Sequence, residues 1–159
     1  AVREIAAAHA DVTFVYPVHL SPVVRECAER NLGGIPNVCL IDPINVEEMH
    51  NLMARSYLVM TDSGGLQEEA PALGKPVLVM RRETERPEAI AAGTAKLAGV
   101  ETERIVSMAN TLLDDPAAYE KMAKAVNPYG DGNACSRIAD AIAWHFGVQL
   151  QRPADFTAE

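Results

Sequence analysis

Basic residues are scarce in this chain. Its 159 residues include 14 Lys and Arg against 22 Asp and Glu, a net charge of −8, and no cluster of cations forms a basic stripe. Neutralising phosphates supplies most of a protein's affinity for nucleic acid, so nucleic acid is a poor partner here. Local backbone donors can still hold a small anion, so the total leaves phosphate-bearing ligands open. Cysteine is sparse as well. Cys27, Cys39 and Cys135 are odd in number and far apart. They fit reduced, buried thiols in a cytoplasmic protein better than a disulfide framework or a zinc site. No apolar run approaches the roughly 20 residues that span a bilayer, so no membrane role is expected. No His, Cys and carboxylate cluster has metal-ligand spacing. Repeats, low-complexity tracts and linkers are absent. An initiator Met is missing too, and Ala1–Ala10 reads as a charged, Ala-rich helix rather than a signal peptide, which suggests a piece of a longer polypeptide.

What is present is enough for one domain with a sizeable core: hydrophobic residues make up 48% of the chain. Four short apolar runs, VTFVYPV (12–18), NVCLI (37–41), YLVMT (57–61) and PVLVM (76–80), have strand length and strand composition. They do not alternate apolar with polar, as expected of strands buried on both faces of a parallel sheet. TAKLAG (94–99) is a weaker fifth. Helical patterns near 21–32, 46–55, 64–74, 101–114, 116–125 and 134–146 lie between and after them. Strand–helix–strand at this spacing predicts an α/β fold with a doubly wound parallel sheet, whose ligands sit beyond the carboxyl ends of the strands. The domain is expected over 1–147, with NPYGDG (127–132) as a turn before the last helix and 148–159 as a fraying tail.

One strand end carries a chemical signal. After Thr61, the residues Ser63, Gly64 and Gly65 open a helix. Ser is a good N-cap, and two glycines let a group approach the backbone closely. The first N–H groups of a helix lack intrahelical partners and lie at the positive end of its dipole, so they bind phosphate without a lysine. A lone Ser-Gly-Gly is equally well a tight cap; its place after a strand favours the binding reading. It is not a P-loop, because Gly74-Lys75 is followed by Pro76. Leu66, Ala70 and Leu73 mark the core face of this helix. Glu68 reads as solvated. Glu69 has Gly65 four residues before it, and helical side chains lean toward the N-terminus, so its carboxylate can reach the helix mouth and accept bonds from sugar hydroxyls. Pro71 should disturb the helix. Arg86, after the next strand, could reach the same mouth or pair with Glu83 or Glu85. His19 also follows a strand, whereas His9, His50 and His145 look like ordinary helix-face residues.

The strings VYPVHLSP (15–22), LIDP (40–43), TDSGGLQEEAPALGKPVLVMR (61–81), ETERPEA (83–89) and NPYGDGNACSRI (127–138) together resemble the non-hydrolysing UDP-N-acetylglucosamine 2-epimerases of bacteria. They occur in the family's order and cover most of 12–146. The resemblance implies a two-domain, GT-B-type architecture, of which this chain is the Rossmann-like C-terminal half. It implies that Ser63, Gly64 and Gly65 hold the UDP phosphates, Glu69 the ribose hydroxyls, and Arg86 the diphosphate. Met49 would lie beside the uracil as a polarizable contact, and His19 would face a second, regulatory UDP-N-acetylglucosamine.

The implied reaction interconverts UDP-N-acetylglucosamine and UDP-N-acetylmannosamine. UDP is eliminated to give a 2-acetamidoglucal and then re-added, with no cofactor. Moving the C2 proton needs carboxylates at both faces of the sugar. In the family these belong to the N-terminal half and the domain junction, so no catalytic residue is assigned here and the chain alone is expected to be inactive. The resemblance further implies a cytoplasmic homodimer in cell-envelope polysaccharide synthesis. Two alternatives stay open: a hydrolysing 2-epimerase, and a GT-B-type UDP-sugar glycosyltransferase half or non-catalytic nucleotide-sugar module.

Overall fold

A computed structural model describes residues 1–157. In chain order the elements are α1 (Val2–Ala8), β1 (Phe14–Pro17), α2 (Pro22–Leu32), β2 (Val38–Ile41), α3 (Val46–Arg55), β3 (Val59–Thr61) and α4 (Gly64–Ala72). They continue with β4 (Val77–Val79), α5 (Pro87–Ala92), β5 (Ala95–Leu97), α6 (Thr102–Asp114), α7 (Pro116–Ala123) and α8 (Ala134–His145). All strand pairing is parallel, in two pieces: β1 beside β2, and β3–β4–β5 in that order.

Strand β4 explains the layering. Val77, Leu78 and Val79 are all completely buried. Successive strand side chains point to opposite faces, so this three-residue run must be covered on both. Leu78 packs with Ile5 of α1, Ile105, Ala109 and Leu112 of α6, and Met122 of α7. Val77 and Val79 pack with Met53 of α3, Ala70 of α4 and Ala89 of α5. The sheet is therefore wound on both sides, as the unalternating apolar runs predict. Phe14 of β1 joins the Leu78 cluster and brings the two-stranded piece against the same core.

Local chemistry sets the helix boundaries. A capping box starts α3, with the Asn45 side chain accepting from Glu48 N–H while Glu48 returns a bond to Asn45 N–H. Asp115 caps α7 through bonds from Ala117 and Ala118 N–H. Helix α4 ends at Ala72, shorter than the expected 64–74: Gly74 takes a left-handed φ of 67°, and Lys75 N–H turns back to the Ala70 carbonyl at 3.1 Å. Helix α5 is not legible as a separate helix in the apolar pattern. It starts with Pro87 at its first position and stops at Gly93, whose φ of 83° is a left-handed cap.

The thiols depart from expectation: Cys27, Cys39 and Cys135 are free but exposed. Cys39 lies in register with Val15, on the strand positions that alternate away from Phe14, and Val15 is exposed as well. Cys27 and Cys135 sit on α2 and α8; α2 buries only Ala28, and α8 buries nothing. Beyond α8, the Phe156 ring lies 5.5 Å from the Arg137 guanidinium carbon. The last two residues of the expected tail, 158 and 159, lie outside the described part. No helix among the described residues is long and apolar enough to cross a membrane.

Candidate functional site

The carboxyl ends of β1 and β3 open onto the same region. Burial holds the Tyr16 phenol above its ordinary pKa, and the carboxylate of Asp62, just past β3, raises it further. Between Asp62 and α4 the chain turns a corner, with Thr61 Oγ1 accepting from Ser63 N–H at 3.0 Å. Ser63 then stands at the N-cap of α4, but its side chain makes no capping bond. This differs from the expected cap; among the described residues only α3 and α7 have side-chain caps, from Asn45 and Asp115, and α4 shares its open start with the other helices. The opening donors of α4 are left to whatever approaches from outside.

Neither Gly64 nor Gly65 has a positive φ, so backbone conformation does not demand glycine at either position. A Cβ on Gly64 would come within 2.6 Å of Glu85 Oε1, the end of an exposed side chain that would have to move aside. Beside Gly65, a Cβ would lie 3.6 Å from Glu69 Oε1, so the Glu69 carboxylate rests over Gly65 toward the mouth of the helix. Its other oxygen, Oε2, is 3.1 Å from His50 Nε2 on α3. His50 thus belongs to this region and is not an ordinary face residue. Its neighbour Met49 is partly buried and packs beside Leu66 and Tyr129 against the Val77–Val79 face of the core.

Arg86 reaches α4 from the loop before α5. Its Nε donates to Glu68 and its Nη1 to the Glu85 carbonyl at 3.3 Å. Glu68, read as solvated from the sequence, is instead the partner of this guanidinium. Its hydrogen bond is the largest influence holding the Arg86 pKa above the ordinary value. The Glu85 carboxylate turns to Arg81, with Nη1 to Oε2 at 2.6 Å. Tyr129, from the NPYGDG turn, fixes the Arg86 end of α5: its hydroxyl accepts from Ala89 N–H at 3.2 Å and donates to the Arg86 carbonyl at 3.5 Å. Ser63, Gly64, Gly65, Glu69 and Arg86 therefore gather around one end of α4, with Met49 at its flank. His19 lies in the turn after β1 and is not hydrogen-bonded to this group. Its Nδ1 accepts from Ser21 N–H at 3.1 Å, which leaves Nε2 as the protonated and exposed ring nitrogen.

The arrangement offers unclaimed helix donors and an oriented guanidinium for an anion, beside a carboxylate that accepts hydroxyl bonds. That set suits a sugar phosphate. A family model described as UDP-N-acetylglucosamine 2-epimerase matches residues 1–143. A UDP-N-acetylglucosamine 2-epimerase of Bacillus subtilis is 52% identical over 159 residues, which is 100% of this chain and 42% of that protein. Among solved structures, the UDP co-structure of MnaA from S. aureus aligns with a TM-score of 0.94 at 44% identity, over 98% of this chain and 43% of the other. The UDP-GlcNAc 2-epimerase of Neisseria meningitidis, solved with UDP-GlcNAc bound, aligns with a TM-score of 0.85 at 48% identity, over 89% and 38% respectively. The chain spans about two fifths of the length of the curated relatives it matches.

Proposed function

Because the chain belongs to the UDP-N-acetylglucosamine 2-epimerase family, we propose that it forms the UDP-binding half of an enzyme interconverting UDP-N-acetylglucosamine and UDP-N-acetylmannosamine. The observation that carries this reading is the uncapped start of α4, with Glu69 laid over Gly65 and Arg86 held alongside. The hydroxyl of Ser63 and the N–H groups of Gly64 and Gly65, together with Arg86, take the diphosphate. Glu69 takes the ribose hydroxyls, and Met49 meets the uracil. Residues 1–147 form this domain, and among the described residues beyond it Gln149 and Phe156 lie back against α8.

Elimination breaks the bond between sugar C1 and the β-phosphate oxygen, and negative charge grows on that oxygen as the bond opens. Donors already aimed at the phosphate stabilise this charge without reorganising. Re-addition at C1 uses the same donors in reverse. The C2 proton is removed and returned by carboxylates that we do not assign to this chain. We place the whole enzyme in the cytoplasm as a homodimer that supplies cell-envelope polysaccharide synthesis.

Incubating the intact protein with UDP-N-acetylglucosamine and resolving the anomeric signals by NMR tests the reaction. Signals of UDP-N-acetylmannosamine should grow to equilibrium while free UDP stays low. Stoichiometric release of UDP would replace this reading with the hydrolysing one. Residues 1–159 alone should bind UDP without turnover; activity near a median enzyme's ~10 s⁻¹ would overturn the placement of the acids elsewhere.

His19 carries a separate part of the proposal, a regulatory contact with a second UDP-N-acetylglucosamine. Its exposed imidazole, in the turn at the carboxyl end of β1, supports that role. His19→Ala in the intact enzyme should blunt the dependence of the reverse reaction on added UDP-N-acetylglucosamine and leave UDP affinity within about twofold, under 0.5 kcal/mol as for an exposed side chain outside the diphosphate contacts. Unchanged dependence would leave His19 only its turn-forming bond to Ser21.

A further inference from the structure

Gln67 has no ligand role in the reading above, yet it is completely buried. Its Nε2 donates to the Ser63 carbonyl at 3.1 Å, and its Oε1 accepts from Thr84 Oγ1 at 2.5 Å. Thr84 Oγ1 in turn accepts from Arg86 N–H at 3.0 Å. The hydroxyl has one proton, so the direction of the chain follows: Arg86 N–H to Thr84, Thr84 O–H to Gln67, and Gln67 N–H to Ser63. Among the described residues, no buried side-chain polar atom lacks a partner.

Burying an amide is costly unless every group is satisfied, and an apolar side chain of similar size would fill this position beside Leu66 and Ala70 without that demand. The amide therefore does something that packing cannot. It ties the corner that opens α4 to the loop that carries Arg86, two segments separated by strand β4. We propose that Gln67 and Thr84 are positioning residues for the diphosphate: they set the distance between the Ser63–Gly64–Gly65 backbone and Arg86 so that both grip one ligand. The proposal rests on the UDP reading above. It concerns Arg86's backbone, and so it is independent of the Glu68 contact that orients the guanidinium.

Calorimetry on the intact protein with UDP and with uridine separates the outcomes. Thr84→Val removes the hydroxyl and should weaken UDP about tenfold, the size of coupling expected between residues of one network. Uridine, which has no phosphate, should change less than twofold. Thr84→Ser should restore UDP affinity, and Thr84→Ala should reproduce the loss should the valine disturb folding. In an Arg86→Ala background, Thr84→Val should cost nothing more, because its effect is exerted through Arg86. Additive losses in the double variant, or equal losses for UDP and uridine, would overturn the positioning role. So would full UDP affinity in Thr84→Val alongside a loss in Arg86→Ala, and in that case the diphosphate reading stands. Full UDP affinity in Arg86→Ala would overturn the diphosphate reading, and the positioning role with it.

Discussion

Replacing Glu69 by alanine is expected to weaken UDP roughly tenfold or more, while pyrophosphate binds as before or slightly tighter. Hydrogen bonds to a charged group contribute about 1.5–3 kcal/mol each, and tenfold is about 1.4 kcal/mol. The low end applies, because Glu69 is partly open to solvent and already bonded to His50. Its carboxylate, resting over Gly65, is placed for the 2′- and 3′-hydroxyls of the ribose. Pyrophosphate has no ribose, so it loses nothing, and removing an anion beside the phosphate position favours it. Glu68→Ala is the informative comparison. Glu68 holds Arg86, so its loss should alter UDP and pyrophosphate alike. Calorimetry with both ligands on both variants distinguishes the carboxylates. Parallel changes for the two ligands in Glu69→Ala would end the ribose assignment.

The second large effect is on stability. Leu78→Ala should cost about 2–5 kcal/mol, the range for truncating a large aliphatic side chain in a packed core. For a domain of this size that corresponds to roughly 4–20 °C in Tm. Leu78 is completely buried and packs in one cluster with α1, at the start of the chain, and with α6 and α7, far along it, so the cavity cannot close by moving one of them. Leu73→Ala, at a side chain 39% exposed just after α4, should cost far less. Thermal unfolding followed by circular dichroism checks both, and equal shifts would contradict the placement of the core.

The strands were legible for the reason seen at β4: residues buried on both faces are apolar without alternation, and the run Val77–Val79 could hardly be anything else. Helix α5 was not, because PEAIAA is too short for a helical period to declare itself. At the site, Glu69 could be singled out locally, since the open path over Gly65 lies four residues back in the same helix. Glu68 and His50 could not. Arg86 lies 18 residues from Glu68, and His50 lies 19 from Glu69. Those contacts exist only once α3, α4 and the loop before α5 have docked on the sheet. Gln67 was hidden for a related reason. A glutamine next to two glutamates reads as part of a polar helix face, and only its bonds to Ser63 and Thr84 explain its burial. The cysteines misled because burial is the usual state of a free thiol, whereas the pairing of Cys39 with Val15 places it on an uncovered side of β1 and β2.

That uncovered side has a practical consequence. Cys27, Cys39 and Cys135 are all accessible and lie on three different elements, α2, β2 and α8. Each is a ready attachment point for a maleimide fluorophore or spin label, with no residue introduced for the purpose. Keeping one thiol and changing the other two to serine would put a reporter on a chosen element while the α4 corner stays untouched. Handled without reductant, the same three thiols offer routes to cross-linked aggregates, so purification in a reducing buffer is part of working with this protein.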